Sequence, residues 1–186
     1  MMNRLAQTDL HVPSLFLILG TGILFFAPIS SLGEQPMESV ERESLHGVTG
    51  VEVLVDPLDV EIEQLGVKTD SLQKDIKQRL QKAGVNVLTE RERLRTPTAA
   101  MLTIRVDTLH DRIGRYFFSI DLFLTQRVRL ESRETSELSA VTWMKLGPIG
   151  IVADDNVKHI EGQVLQKTDQ FIKDYLAANP DRRVTH

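Results

Sequence analysis

The chain of 186 residues contains no cysteine, and this absence removes several ways of stabilising or anchoring a protein. Disulfide bonds are excluded, so an exported domain of this sequence has to rest on the packing of its core alone. The lipid-modified cysteine of bacterial lipoproteins is excluded, and with it an anchor of that kind. A zinc site is not expected either, because no two histidines stand at ligand spacing.

Positive charge is also scarce: 22 lysine and arginine residues stand against 26 aspartate and glutamate residues, and the formal net charge is -4. A mildly acidic domain has no general electrostatic reason to bind nucleic acid, so no nucleic-acid partner is expected. Hydrophobic residues make up 41% of the chain, which is typical of a folded globular protein rather than a disordered one.

Motifs that would identify a reaction are missing too. There is no Gly-x-Ser-x-Gly nucleophile elbow, and the Gly147–Gly150 run lacks the lysine and hydroxyl residue of a phosphate-binding loop. His110, beside Asp111, could act as a base, although a histidine at a strand end or turn is the commoner interpretation. Capping of the following helix explains Asp154 and Asp155. We therefore expect no catalytic residue, no metal, no cofactor and no enzymatic activity.

The N-terminal segment predicts where the protein works. A charge-free stretch runs from Val12 to Gly33, which is compatible in length with a signal peptide and with a membrane-spanning helix. Ser31 and Gly33 place small residues at the -3 and -1 positions of a cleavage site, so we expect residues 1–33 to be a signal peptide cleaved after Gly33. The protein would then be periplasmic or secreted. The alternative is a retained inner-membrane anchor through residues 12–33, with the domain in the periplasm.

The remaining chain has the length of one domain. Residues 34–47 are polar and acidic and are interpreted as a flexible lead, residues 48–180 as a single α+β domain, and residues 181–186 as a frayed tail. Apolar residues alternate with period two in five segments, and two amphipathic helices are predicted, one after Thr69 and one ending before Pro180. This order, β-α-β-β-β-β-α, predicts a two-layer sandwich of a mainly antiparallel five-stranded sheet with both helices on one face.

The last three predicted strands indicate a candidate binding surface. Their even-numbered apolar residues are expected to meet the helices. A first hairpin centred near Ile113 would place Arg105 opposite Asp121, and a second centred near Glu134 would place Thr125 opposite Trp143. The odd-numbered residues then share the other face, unless residues 34–68 or the twist of the sheet cover it. An apolar patch rimmed by charge on such a face is a candidate docking surface, and its predicted members are Phe117, Phe123, Val141, Trp143, Arg127 and Arg129.

Two segments resemble uncharacterised exported bacterial proteins, the run from Tyr116 to Leu122 and the run from Phe171 to Pro180. The resemblance covers most of residues 48–180 and names no activity. The order of the elements is also similar to small modules of Gram-negative envelope assembly, the TolB N-terminal domain family and the LptE lipoprotein family. This resemblance implies a periplasmic role in binding a partner. The missing lipoprotein cysteine departs from the LptE pattern, and no functional residue of either family is placed here by motif.

These observations predict a non-enzymatic partner-binding module of the bacterial envelope, whose partner is a protein and whose contact with a membrane is limited to residues 12–33 if they are not cleaved. A second hypothesis is a carrier or sensor of a small amphiphilic ligand held between helices and sheet. A hydrolase built on His110 is the third.

Overall fold

Alternating apolar residues and amphipathic stripes become strands and helices in the computed structural model, which describes residues 36–182 and the side chains of residues 40–132 and 137–181. The predicted signal segment and its cleavage site lie outside the described residues, and so does the predicted tail beyond residue 182. Within the described residues there are six strands, β1 (Val51–Val55), β2 (Val87–Leu88), β3 (Ala100–His110), β4 (Arg115–Leu130), β5 (Arg133–Lys145) and β6 (Gly150–Ala153).

Five α-helices accompany these strands in the described part of the chain. They are α1 (Pro36–Glu43), α2 (Val60–Gln64), α3 (Thr69–Lys82), α4 (Glu90–Arg95) and α5 (His159–Ala178). Short 3-10 turns follow β6 at Asp154–Asn156 and α5 at Pro180–Arg182.

The strands form one mixed sheet in the order β2-β1-β3-β4-β5. β1 pairs in parallel with β2 and β3, and all pairs of β4 are antiparallel. β6 pairs with the beginning of β4, on the same edge of β4 that β5 occupies further along. The predicted α+β class and largely antiparallel sheet are confirmed, and the sheet has a sixth strand because pairing with β4 resumes at Gly150.

Helices α3 and α5 contact each other and cover one face of the sheet, as the predicted sandwich requires. The stripe of α3 buries Leu72, Ile76 and Leu80. The longer stripe of α5 is also buried against the sheet, through Ile160, Val164, Thr168, Phe171 and Tyr175. These residues and the inward side chains of β1, β3 and β4 form one continuous hydrophobic core.

The interpretation of residues 34–47 as a flexible lead is wrong for the described part of that segment. Helix α1 packs against α5 and β5, and Leu45 just after it is fully buried. The amide of Asn179 holds this segment, since its Nδ2 donates to the Leu45 carbonyl at 2.9 Å and its Oδ1 accepts from the Gly47 N–H at 3.0 Å. The polar composition of the segment matches its exposed side and gives no sign of these contacts.

Two further short helices lie outside the two helices that the sequence predicts. Residues 60–62 belong to α2, which buries Ile62 in the core. The charged segment Glu90–Arg95 forms α4, and its N-terminus is a capping box in which Thr89 and Glu92 satisfy each other's backbone N–H groups. The Thr-x-x-Glu spacing is a signal in the sequence that identifies this helix.

Candidate functional site

The first hairpin has the predicted register, and its faces follow the predicted alternation. Arg105 lies opposite Asp121, and the even-numbered residues of β3 and β4 are buried under the helices from Leu102 to Val106 and from Tyr116 to Leu124. The hydrogen-bond partner of Arg105 is nevertheless Asp56, since Arg105 Nε donates to Asp56 Oδ2 at 3.0 Å.

The second hairpin departs from the prediction and exchanges the faces of the part of β5 that follows Thr142. Leu124 pairs with Trp143, but the next residue, Thr125, pairs with Val141, so Thr142 is an extra residue in β5. Such a β-bulge shifts the alternation of its strand by one residue relative to the partner strand. The predicted centre near Glu134 is also wrong, since a second irregularity leads to a pair between Leu130 and Arg133.

Trp143 consequently faces the helices, and its predicted place on the uncovered surface is wrong. The side chain is 2% exposed. Its ring meets Phe171 of α5 edge-on at a centroid distance of 5.1 Å, and its Nε1 donates to Asp174 Oδ2 at 3.3 Å. A buried tryptophan with its N–H satisfied is a core residue. The even-numbered apolar residues of β5, expected in the core, are exposed instead, among them Leu138, Met144 and the following Leu146.

The face of the sheet away from α3 and α5, here called the open face, presents a continuous row across four strands. Leu54 of β1 pairs with Thr103, Thr103 with Phe123, and Phe123 with Met144. The adjacent row brings Met101 and Val141 to either side of Thr125. We call the apolar residues of these two rows the central band: Leu54, Met101, Phe123, Val141 and Met144.

Much of the central band is accessible to solvent. Leu54, Val141 and Met144 are 40%, 48% and 38% exposed, whereas Phe123 and Met101 are half-buried. The guanidinium of Arg105 lies over the Phe123 ring at 5.5 Å, which is within the range of a cation–π contact. Its hydrogen bond to Asp56 raises the pKa of the Arg105 guanidinium, so this cation stays charged at the edge of the band.

Two of the predicted arginines lie on the open face towards the tip of the second hairpin. Arg127 donates to the Thr96 carbonyl at 2.6 Å, which brings the end of α4 to the border of the open face. Arg129 forms an exposed ion pair with Glu137 at 3.0 Å. Arg127 therefore lies at one end of the central band, and its hydrogen bond goes to a backbone carbonyl rather than to a carboxylate.

Phe117 also lies on the open face, but it belongs to a second apolar area at the other end of the sheet. It pairs with Leu109 and with Ile151 of β6, and with Ile149 it lines a shallow cavity of about 220 Å³. The polar pair of Arg105 and Asp121 separates this area from the central band. The sequence prediction missed Leu54, Met101 and Met144, because only the strand pairing places them beside Phe123.

His110 has a different carboxylate partner from the predicted one. Its Nε2 lies 3.1 Å from Asp154 Oδ1, and its ring stacks on Tyr116 with a centroid distance of 4.3 Å. Burial, followed by the hydrogen bond to Glu61, raises the pKa of the Tyr116 hydroxyl. Asp111 instead binds Arg115 and the N–H of Ile113. Among the described residues, no hydroxyl group is hydrogen-bonded to His110. The pairing of a hydroxyl nucleophile with a general base is therefore incomplete at this histidine.

Two other kinds of feature are missing from the described part of the chain. Within residues 36–182, no group of three or more histidine, aspartate or glutamate side chains is placed to hold a metal ion. Of the helices in the same range, none is long and apolar enough to cross a membrane.

Comparison with known proteins adds little. No protein-family model matches the chain, and no curated protein matches it. Among solved structures, the chain is similar to a minor lipoprotein from Acinetobacter baumannii, with 13% sequence identity over 72% of this chain and 95% of that chain. The TM-score of the pair is 0.25, and a likeness this weak supports no argument about fold or function.

Proposed function

We propose that this protein is an exported, non-enzymatic module of the bacterial envelope that binds a protein partner through the open face of its sheet. The observation that supports the proposal is the central band, an apolar surface exposed on the side of the sheet that α3 and α5 leave uncovered. Scattered exposed apolar residues are ordinary, but a contiguous apolar area rimmed by polar residues is typical of an interaction site.

The segments that could have covered this face lie elsewhere. Helix α1 contacts α5, and Ile62 of α2 is part of the core beneath the helices. Glu61 of α2 accepts a hydrogen bond from Tyr116, whose side chain is on the helix side of β4. These helices therefore pack on the helix side, and Asp56, next to β1, reaches the open face, where it binds Arg105. The expectation that residues 34–68 fold over the open face is wrong for the described part of that segment.

The surface favours a partner of particular chemistry. Leu54, Val141 and Met144 offer contact area to apolar side chains, and methionine adapts its shape to irregular partners. Arg127 lies at the hairpin end of the band and can donate further hydrogen bonds to a carboxylate. We therefore expect a protein surface with apolar side chains opposite the band and an acidic residue opposite Arg127.

Site-specific photo-crosslinking in the native cell tests the proposal. A photoreactive residue replaces Val141 or Met144, and Val60 of α2 serves as the control, since it is also apolar and is more exposed than either of them. We expect one protein to be captured from positions 141 and 144 and not from position 60.

A second step with purified components decides whether the band contributes binding energy. The double variant Val141→Glu/Met144→Glu should bind the captured protein at least tenfold more weakly than the wild type, with an unchanged circular dichroism spectrum, and Val60→Glu should bind normally. Capture of only a second copy of this chain, or equal affinity for all variants, would refute the proposal. The intact mass of the protein recovered from cells tests export separately, because cleavage after Gly33 removes residues 1–33.

A further inference from the structure

A second concave site lies on the helix side, where α5 passes over the break between β5 and β6. Its volume is about 240 Å³, and it opens between the helix and the sheet. One wall is apolar and contains Phe118, Ile120 and Pro148. The other wall follows one side of α5 and contains His159, Gln163 and Lys167.

The loop that forms one wall is held in place by close contacts. The N–H of Gly147 donates to Asp121 Oδ1 at 2.9 Å. A side chain at Gly147 would collide with the Ile120 carbonyl and with the end of Lys167, and one at Gly150 would collide with the Phe118 ring. The two glycines therefore let the loop lie directly against β4 and α5, and Pro148 between them faces the cavity.

The polar wall consists of three residues spaced four apart on α5, which places them on one side of the helix. His159 and Gln163 are joined by a hydrogen bond of 3.1 Å between their side-chain nitrogens. Lys167 lies at the inner end of this row, beside Gly147. The cavity thus has an amide and an imidazole along one side and an ammonium group at the end where the loop closes over α5.

Lys167 is the unusual member of this row. Its ammonium group forms no ion pair with any residue that the structure describes. Burial lowers the pKa of Lys167, the charge of Asp121 raises it, and the charge of Lys145 lowers it again. Asp121 already accepts the Gly147 N–H, and it lies outside ion-pair distance of Lys167. A partly desolvated cation without its own counter-ion is costly, and an anion placed beside it would offset that cost.

We infer that this cavity binds a small anionic amphiphile, with the anionic group on Lys167 and the apolar body against Phe118, Ile120 and Pro148. The proposal is independent of the partner surface, which lies on the other face of the sheet. The apolar wall selects a ligand with an alkyl or aryl body, and the ammonium group of Lys167 selects a negative head group.

Titration of the purified domain with sodium octanoate, followed by heteronuclear NMR, tests the site. We expect shifts concentrated on the loop at residues 147–150 and on α5 near Lys167, with saturation below about 10 mM, the range in which a weak single-site ligand is measurable. Octylammonium, with the same chain and the opposite charge, should produce no saturating shifts at these residues.

Variants separate the charge from the shape of the site. Lys167→Gln should weaken octanoate binding at least tenfold, whereas Lys173→Gln, an exposed lysine further along α5, should leave it unchanged. Gln163→Trp fills the cavity without removing the charge and should also abolish binding. Equal binding of octanoate by Lys167→Gln and wild type, equal binding of octylammonium, or no saturable shifts with the folded wild type would each overturn the proposal.

Discussion

The two faces of the sheet differ in what covers them, although both carry apolar side chains. On the helix side, residues such as Ile104, Leu122 and Leu124 are completely buried beneath α3 and α5. On the open face, the central band is left to solvent. Neighbours in β5 show the contrast most sharply, since Trp143 is 2% exposed and Met144 is 38% exposed. Apolar alternation alone marks the residues that share a face, and the helices decide which face becomes the core.

The largest expected effect tests this contrast within β5. Trp143→Ala removes a ring packed on Phe171 and should lower the free energy of unfolding by about 3–5 kcal/mol, the usual cost of emptying a large aromatic site in a core. Met144→Ala on the open face should cost about 1 kcal/mol or less. Chemical denaturation of both variants measures the difference. Similar losses for the two would mean that the bulge at Thr142 does not orient β5 as described.

A smaller effect on stability is expected at two glycines, Gly150 beside β4 and Gly162 in α5. Gly150→Ala would push a methyl group into the Phe118 ring and should destabilise the domain by about 1–3 kcal/mol, as overpacking does.

Gly162, an exposed residue in the first turn of α5, is the matched control because nothing lies within 4 Å of a methyl group placed there. Gly162→Ala should stabilise the helix by about 0.5–1 kcal/mol, since glycine loses more conformational freedom on folding than alanine. Thermal and denaturant unfolding should therefore show changes of opposite sign. A neutral Gly150→Ala would show that the loop does not press on β4.

The smallest expected effect concerns the outer surface of the helix layer. Arg79 of α3 binds Asp169 of α5 through two hydrogen bonds, the longer of 2.7 Å. The hydrogen bond from Arg79 holds the pKa of Asp169 below its usual value. A carboxyl whose folded pKa is depressed adds stability above its unfolded pKa, and this stability is lost as the pH falls through the folded value.

Arg79→Gln should therefore lower the free energy of unfolding at neutral pH by about 0.2–1 kcal/mol, the range for exposed ion pairs. The difference from wild type should shrink as the pH falls below about 4, near the ordinary pKa of aspartate. Denaturant unfolding at several pH values checks this, with the exposed Lys173→Gln as control. A difference that does not change with pH would mean that the charge of Asp169 is not involved.

Sequence reasoning succeeded where local pattern and short-range pairing decide the outcome. The stripes of α3 and α5, the alternation in β1 and β3, and the opposition of Arg105 and Asp121 follow from spacing in the chain. A hairpin of regular strands has few possible registers, and each side chain in it keeps its face.

The candidate site was predicted only in part, because one extra residue changed its composition. Phe123, Val141 and Arg127 lie on the open face as expected, but the bulge at Thr142 sends Trp143 into the core and brings Met144 to the surface. Tertiary contacts hold the bulge in place. The Thr142 carbonyl accepts a hydrogen bond from Ser44 Oγ at 2.8 Å, and the Thr142 Oγ1 accepts one from Gln126 Nε2. Ser44 is 98 residues away in sequence, so no local pattern in β5 reveals the contact.

The sequence by itself determined the two long helices, most of the strands, the α+β class, the need for a core without disulfides and the prediction of export, because periodicity, composition and the absence of cysteine act locally or on the chain as a whole. Only the tertiary structure decided which face of the sheet is open, where Trp143 lies and how α1 docks. It also placed Lys167 beside a cavity, where its ammonium group forms no ion pair with a described residue. These features depend on contacts between residues far apart in the chain, whose free energy appears only when the helices and the sheet pack together.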